Sequence, residues 1–408
     1  MRFAFISTLL GRPWPWGGSE ELWSRSAIYL TEQGNGVSVS LHGWAPQDPN
    51  IERLRKHGLQ VYLRVEHHPV ARRALRILVR DRTDLGLAEY GRFLSKNTPE
   101  LVVISDCNAL PPIDLLELCA LRGLPFVCIS QVNREGWWPS DSLADRYRSA
   151  LAAAARCFFV SEANWRLAER QISGSISNAE IVRNPFNVPF NAAPMWPTPE
   201  PEEELRLACV ARLDPSAKGQ DLLFQALATP QWRSREWLLS LYGEGPVSKG
   251  LMWLANSFGL ADHVRLVGHV PDVIGIWAEH HALVLPSRFE GMPLALVEAM
   301  LCGRPAIATD VAGHREIIED GVTGFLAEAP SVPALQRTLE RAWKRRAKLR
   351  SMGEAASRRI RLLVPEDPVL VFSERLKACA AAANAAKGAS FRGCEGFQRD
   401  NHRLTSVY

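Results

Sequence analysis

Short apolar runs alternate with stretches of helical periodicity along most of the chain. In the first half, RFAFIST (2–8), GVSVSLHG (36–43), LQVYLRV (59–65), LVVIS (101–105), PFVCIS (125–130) and CFFVS (157–161) read as strands. In the second half the same reading falls on LRLACVAR (205–212), WLLSLYGEG (237–245), VRLVGHV (264–270), ALVLPS (282–287) and PAIATD (305–310). Between the first two runs, SEELWSRSAIYLTEQG predicts a helix ending at Gly34, with Ser19 as a candidate cap. Continuous apolar strands alternating with helices imply an α/β chain whose parallel sheets are covered on both faces. Residues 185–204, PFNVPFNAAPMWPTPEPEEE, belong to no periodic element and predict a linker between two α/β units. An Ala-rich helical pattern covers 369–386, and the mixed residues 387–408 read as a flexible tail.

Composition narrows the class. The chain has 408 residues, 47% hydrophobic and 23% charged, enough for two large cores and too apolar for a disordered chain. A net charge of +4 is too small to argue for nucleic acid. The eight cysteines form no Cys-x-x-Cys and lie mostly in apolar runs, which fits reduced buried thiols in the cytoplasm. MRFAFISTLLG has one Arg, a very short apolar run and no cleavage pattern, so it reads as a first strand rather than a signal peptide. No apolar run is long enough to span a bilayer.

Three segments carry candidate chemistry. In SRFEGMPLALVEAMLCGRPAIATD (287–310), Glu290 falls in a loop before a helix and Glu298 more than a turn inside it, with Pro293 suited to its first turn and Gly303 to its end. The backbone N–H groups around Gly291, Met292 and Leu294 would then face an anion, with the two carboxylates free for hydroxyls. Two solvated glutamates on a surface helix are the alternative. In ACVARLDPSAKGQDLLFQAL (208–227), Arg212, Lys218 and Gly219 fall between a buried strand and a helix, where α/β folds bind ligands. Their cations suit a diphosphate, or are ordinary surface charge. In GRPWPWGGSEEL (11–22), Gly17 and Gly18 allow close backbone approach at a strand-to-helix turn. There is no Gly-x-Gly-x-x-Gly and no Walker-type loop.

Taken together, these motifs resemble the retaining glycosyltransferases of family 4. Supporting pieces are YGEGP (242–246), VRLVGHVPD (264–272), GHREIIEDGVTGFL (313–326), SEAN (161–164) and RNPFNV (183–188). The resemblance implies a GT-B fold, in which two Rossmann-like domains with parallel sheets face each other across a cleft. An acceptor domain would occupy 1–190, a donor domain 205–365, and a crossover helix 366–386. It implies transfer of a sugar from a nucleoside-diphosphate sugar to an acceptor hydroxyl with retention, in polysaccharide or glycolipid synthesis, with no metal and no separate cofactor. Arg212 and Lys218 would bind the diphosphate, and Glu290 the sugar hydroxyls, helped by Gly291, Met292, Pro293 and Leu294. Glu298 would take the ribose, Val270 the base, and Gly17 and Gly18 the phosphate and sugar. UDP, GDP and ADP sugars are not distinguished. Many relatives carry a His at an N-terminal strand end; here Asp106, Asn108, Gln131 and Asn133 occupy those positions. A catalytically silent subunit of a glycosyltransferase complex is the competing reading.

Arg72, Arg76 and Arg80 recur every fourth residue beside Ala71, Leu75, Leu78 and Val79. Such a helix suits peripheral contact with an anionic inner-membrane face and a glycolipid acceptor, or is a solvated helix packed on its sheet. The second basic run, Arg341–Arg350, reads as a solvated helix face.

Overall fold

The computed structural model describes residues 1–9, 16–43, 48–64, 85–107 and 109–401. Among them, two wholly parallel sheets carry all the named strands. The first comprises β1 (Arg2–Ser7), β2 (Gly36–His42), β3 (Gln60–Arg64), β4 (Leu101–Asp106), β5 (Phe126–Ser130), β6 (Arg156–Phe159) and β7 (Ala179–Ile181), in the order β3-β2-β1-β4-β5-β6-β7. The second comprises β8 (Leu205–Val210), β9 (Trp237–Tyr242), β10 (Val264–Gly268), β11 (Ala282–Leu285), β12 (Ala306–Thr309) and β13 (Gly324–Ala327), in the order β10-β9-β8-β11-β12-β13. Each apolar run read as a strand is one. β7 and β13, each at an edge of its sheet, go unpredicted.

Both orders are the doubly wound pattern, which reverses direction between β1 and β4 in one sheet and between β8 and β11 in the other. All residues of β4, β5, β9, β11 and β12 are buried, as strands covered on both faces must be. Each sheet therefore has an apolar cluster on either side. The helix Gly18–Glu32 contributes Leu22, Trp23, Ala27 and Leu30 to one N-terminal cluster. The helix Leu294–Leu301 is buried along nearly its whole length in the other domain.

The helix Leu349–Leu363 packs on the second sheet through Met352, Ala356 and Ile360. The next helix, Pro368–Asn401, returns to the first, where Phe372, Leu376 and Ala380 enter the cluster that holds Trp23. Phe372 meets Phe158 edge-on at 5.2 Å. This is the two-domain GT-B architecture with a crossing C-terminal helix. This helix runs past Ala386 to Asn401. No proline after Pro368 interrupts it, and the Ala-rich stretch up to Ala386 favours its first half.

Candidate active site

The strand β8 ends at Val210, and the chain turns through Arg212 into the short helix Pro215–Lys218. Gly219 follows at φ +67°, where a Cβ would lie 2.0 Å from the carbonyl oxygen of Pro286. Only glycine allows this turn to press against the end of β11. Arg288 clamps it from the other side. Its guanidinium forks onto Asp221 at 2.7 and 2.8 Å and donates to the Pro215 carbonyl at 2.5 Å.

These contacts bring Lys218 to Glu290. Lys218 Nζ donates to Glu290 Oε1 at 2.6 Å, and Ser287 Oγ donates to the same oxygen at 2.8 Å. Glu290 is 6% exposed. Burial opposes its ionisation, but the Lys218 charge, His314 and both hydrogen bonds together hold its carboxyl below the usual range. Glu290 Oε2 accepts no hydrogen bond from the described residues. Arg212 is exposed at the mouth, and Gln220 Nε2 donates to its carbonyl at 2.8 Å. In the N-terminal domain, burial first and the Asp106 charge second push the Cys107 thiol up to about 12.

Gly291 lies on the domain boundary. A Cβ there would sit 1.9 Å from the Gln131 carbonyl oxygen and 2.9 Å from Val160, both of the N-terminal domain. Asn164 Nδ2 donates to the Glu290 carbonyl at 3.4 Å across the same boundary. The helix Leu294–Leu301 begins just beyond, after Pro293 in extended conformation, so Pro293 precedes the first turn rather than opening it. Met292 is buried, and Pro293 and Leu294 are half-buried. From the N-terminal domain, Gly18 approaches so closely that its Cβ would be 3.0 Å from Leu294 Cδ1. Gly17, not Ser19, is the residue preceding that domain's first helix; Ser19 Oγ turns instead to Glu20 Oε1 at 3.4 Å. Val270 is half-buried against the cluster containing Val210 and Ile274.

Glu298 is engaged elsewhere. Its Oε1 accepts hydrogen bonds from the Asn187 backbone N–H and from Asn187 Nδ2, both at 2.9 Å. Arg25 in turn donates to Asn187 Oδ1 at 2.6 Å. Burial raises the Glu298 pKa against those two hydrogen bonds.

On the acceptor side the expected residues divide. Asp106 is buried at the end of β4, where Thr8 Oγ1 donates to its carboxylate. Gln131 Oε1 accepts from Asn184 Nδ2 at 2.8 Å, while Gln131 Nε2 is buried without a partner. Asn133 braces its own loop, donating to Gln171 Oε1 at 2.8 Å and accepting from the Arg134 N–H at 2.7 Å. Asn108 and the arginines 72, 73, 76 and 80 lie outside the described residues.

Sequence reading missed Glu20, 1% exposed beneath the Gly17–Gly18 turn. Ser7 Oγ and Trp23 Nε1 donate to its Oε2 at 2.6 and 2.8 Å, yet burial, aided by the Asp106 charge, lifts its pKa to about 7. It also missed Arg288, Asp221, Ser287 and His314. His314 is fully buried, its Nδ1 is 2.6 Å from the Thr309 carbonyl, and its Nε2 has no partner. Only the Ser287–Glu290 spacing offered a signal. Among the described residues no group of three or more His, Cys, Asp or Glu is placed to hold a metal ion, and no helix is long and apolar enough to cross a membrane.

Residues 193–359 match the family described as Glycosyl transferases group 1. An exopolysaccharide phosphotransferase of Streptomyces coelicolor is 37% identical over 141 residues, covering 34% of this chain and 15% of that protein. The putative glycosyltransferase EpsD of Bacillus subtilis is 32% identical over 137 residues, 34% of this chain and 36% of that one. These matches thus span about a third or less of the length of such curated relatives. Anabaena HepE, solved in complex with UDP-glucose, superposes with a TM-score of 0.67 at 19% identity, covering 94% of this chain and all of that one, which is a likeness of fold. The chain has the GT-B fold, and its residues 193–359 match the glycosyl transferases group 1 family.

Proposed function

We propose that the protein transfers a sugar from a nucleoside-diphosphate sugar to an acceptor hydroxyl, with retention at the anomeric carbon. The observation that carries this reading is the cluster of Lys218, Ser287 and Glu290 at the β8/β11 switch point, facing the β1/β4 switch point of the other domain. The bond from the anomeric carbon to the diphosphate oxygen breaks, and its electron pair stays on the diphosphate. Arg212 and Lys218 stabilise that charge, assisted by the N–H groups at the start of the helix Leu294–Leu301. The acceptor oxygen bonds to the anomeric carbon on the face the diphosphate leaves, and its proton goes to the departing phosphate oxygen. Glu290, ionised and with Oε2 open, accepts hydrogen bonds from sugar hydroxyls. Glu298, its Oε1 taken by Asn187, holds the ribose hydroxyls through Oε2, with Val270 beside the base and Gly17–Gly18 over the phosphate.

The likeness to exopolysaccharide enzymes supports a glycan or glycolipid acceptor. The four-residue spacing of Arg72, Arg76 and Arg80 in the sequence favours the glycolipid, at an anionic membrane face in the cytoplasm. The test is release of nucleoside diphosphate from UDP, GDP and ADP sugars, with and without acceptor. Arg212→Ala and Lys218→Ala should each lower turnover about a hundredfold with the fold intact. Full activity in either variant removes the diphosphate assignment, and no turnover of any donor by the wild type leaves a silent subunit.

A further inference from the structure

A cavity of about 360 Å³ lies away from the cleft, between the linker, the C-terminal end of the helix Leu294–Leu301 and the helix Leu349–Leu363. Arg304, Arg350, Arg358 and Arg361 line it against a single carboxylate, Glu354. We propose that this cavity is a second anion site, which binds a phosphate monoester or diphosphate carried on a small organic body.

The two inner arginines are compensated only by uncharged groups. Arg304, 3% exposed, donates to the carbonyls of Trp277, His280, Cys302 and Met195 at 2.6–3.0 Å. Arg361 donates to the carbonyls of Phe190, Ala192 and Leu301 at 2.9–3.2 Å and to Ser357. Carbonyls satisfy the N–H groups and favour a cation at a helix C-terminus, but they bring no counter-charge. Burial first, with Arg350 adding to it against Cys302, lowers the Arg304 pKa to about 10.

Capping of the helix end and tethering of the linker explain Arg304 and Arg361. They do not explain Arg350 and Arg358. Arg350 reaches Glu354 only at 3.9 Å, and Arg358 makes no hydrogen bond or ion pair with a described residue. Positions 350, 354, 357, 358 and 361 form one face of their helix, so both exposed guanidinium groups overhang the cavity mouth. Four guanidinium groups against one carboxylate leave a net charge of +3 around the space. A phosphate relieves that repulsion and takes the fork geometry of arginine. Trp196, its ring 4.9 Å from the Arg304 guanidinium, and Pro194 supply an apolar wall for the organic portion.

The test uses calorimetric titration of the full chain with inorganic diphosphate. Arg212→Ala/Lys218→Ala removes the donor-site cations, so binding that survives in this double variant reports the second site. It should weaken at least about tenfold when Arg350→Ser/Arg358→Ser is added, since both side chains are exposed and hold nothing in the fold. In parallel, phosphatidylcholine vesicles containing phosphatidic acid are offered to the same proteins. Arg350/Arg358-dependent binding of free diphosphate identifies a soluble phosphate; such binding confined to vesicles identifies a lipid headgroup; either supports the site. No binding of diphosphate up to ~10 mM together with no Arg350/Arg358-dependent vesicle binding, or binding indifferent to these two arginines, overturns it.

Discussion

Replacing Glu20 by Gln should flatten the pH dependence of stability between pH 5 and 8. Glu20 lies under the Gly17–Gly18 turn with its pKa raised from 4.5 to about 7, chiefly by burial, with the Asp106 charge adding to it. Arg64, also buried, and Cys107 both feel its charge. A raised carboxyl pKa means that the folded chain holds a proton the unfolded chain has released. Stability is therefore fully present below the unfolded pKa and is lost as pH rises towards the folded one, the reverse of an ion-paired carboxylate. A shift of this size corresponds to about 3 kcal/mol in all, of which about 2–3 kcal/mol falls between pH 5 and 8. Gln keeps an oxygen for Ser7 and Trp23 and cannot ionise. Relative to wild type, Glu20→Gln should thus gain about 5–10 °C in melting temperature between pH 5 and pH 8. Differential scanning calorimetry of both proteins across that range measures it. Asp106→Asn should lower the Glu20 midpoint in a carboxyl ¹³C titration. Parallel melting curves for wild type and Glu20→Gln, or a Glu20 midpoint at the ordinary value, would refute the reasoning.

Gly291→Ala places a Cβ 1.9 Å from the Gln131 carbonyl and forces the domains apart there, so turnover should fall about a hundredfold, measured against an unchanged donor-domain fold by circular dichroism. Arg288→Ala removes the clamp on Asp221 and frees the Lys218 turn; turnover should fall about tenfold, and Arg288→Lys should restore little because an ammonium cannot fork. Glu298→Gln keeps an acceptor for Asn187 but loses the charge, so donor KM should rise about tenfold with little change in melting temperature. Steady-state kinetics on the same donor would check each.

The strands were legible because burial on both faces leaves unbroken apolar runs such as LVVIS and WLLSLY, and the switch points follow once those runs alternate with helices. Lys218 and Glu290 could each be marked from local spacing. Their 2.6 Å ion pair could not, because it depends on a turn at Gly219 that is held by Arg288, 67 residues away from its partner Asp221. Glu20 stayed hidden for a related reason. In SEELW it looks like a solvated residue of an amphipathic helix, and only the tertiary position of Ser7, Trp23 and Asp106 reveals a buried acid. Glu298 was marked by position, but its engagement with Asn187 depends on how the linker folds back.

The Lys218–Glu290 pair also bears on how a donor would enter. The cation proposed for the diphosphate and the anion proposed for the sugar satisfy each other, 16% and 7% exposed. A partly buried charge left alone would be costly, so each group of the pair offsets the burial of the other. A nucleoside-diphosphate sugar offers both partners at once: phosphate oxygens for Lys218 and hydroxyls for Glu290. A free diphosphate offers only the first, and would have to draw Lys218 away from a carboxylate with nothing in exchange. A free sugar offers only the second. Under the proposed function the arrangement would favour the intact donor over either fragment, through the Gly219 turn that sets Lys218 beside Glu290.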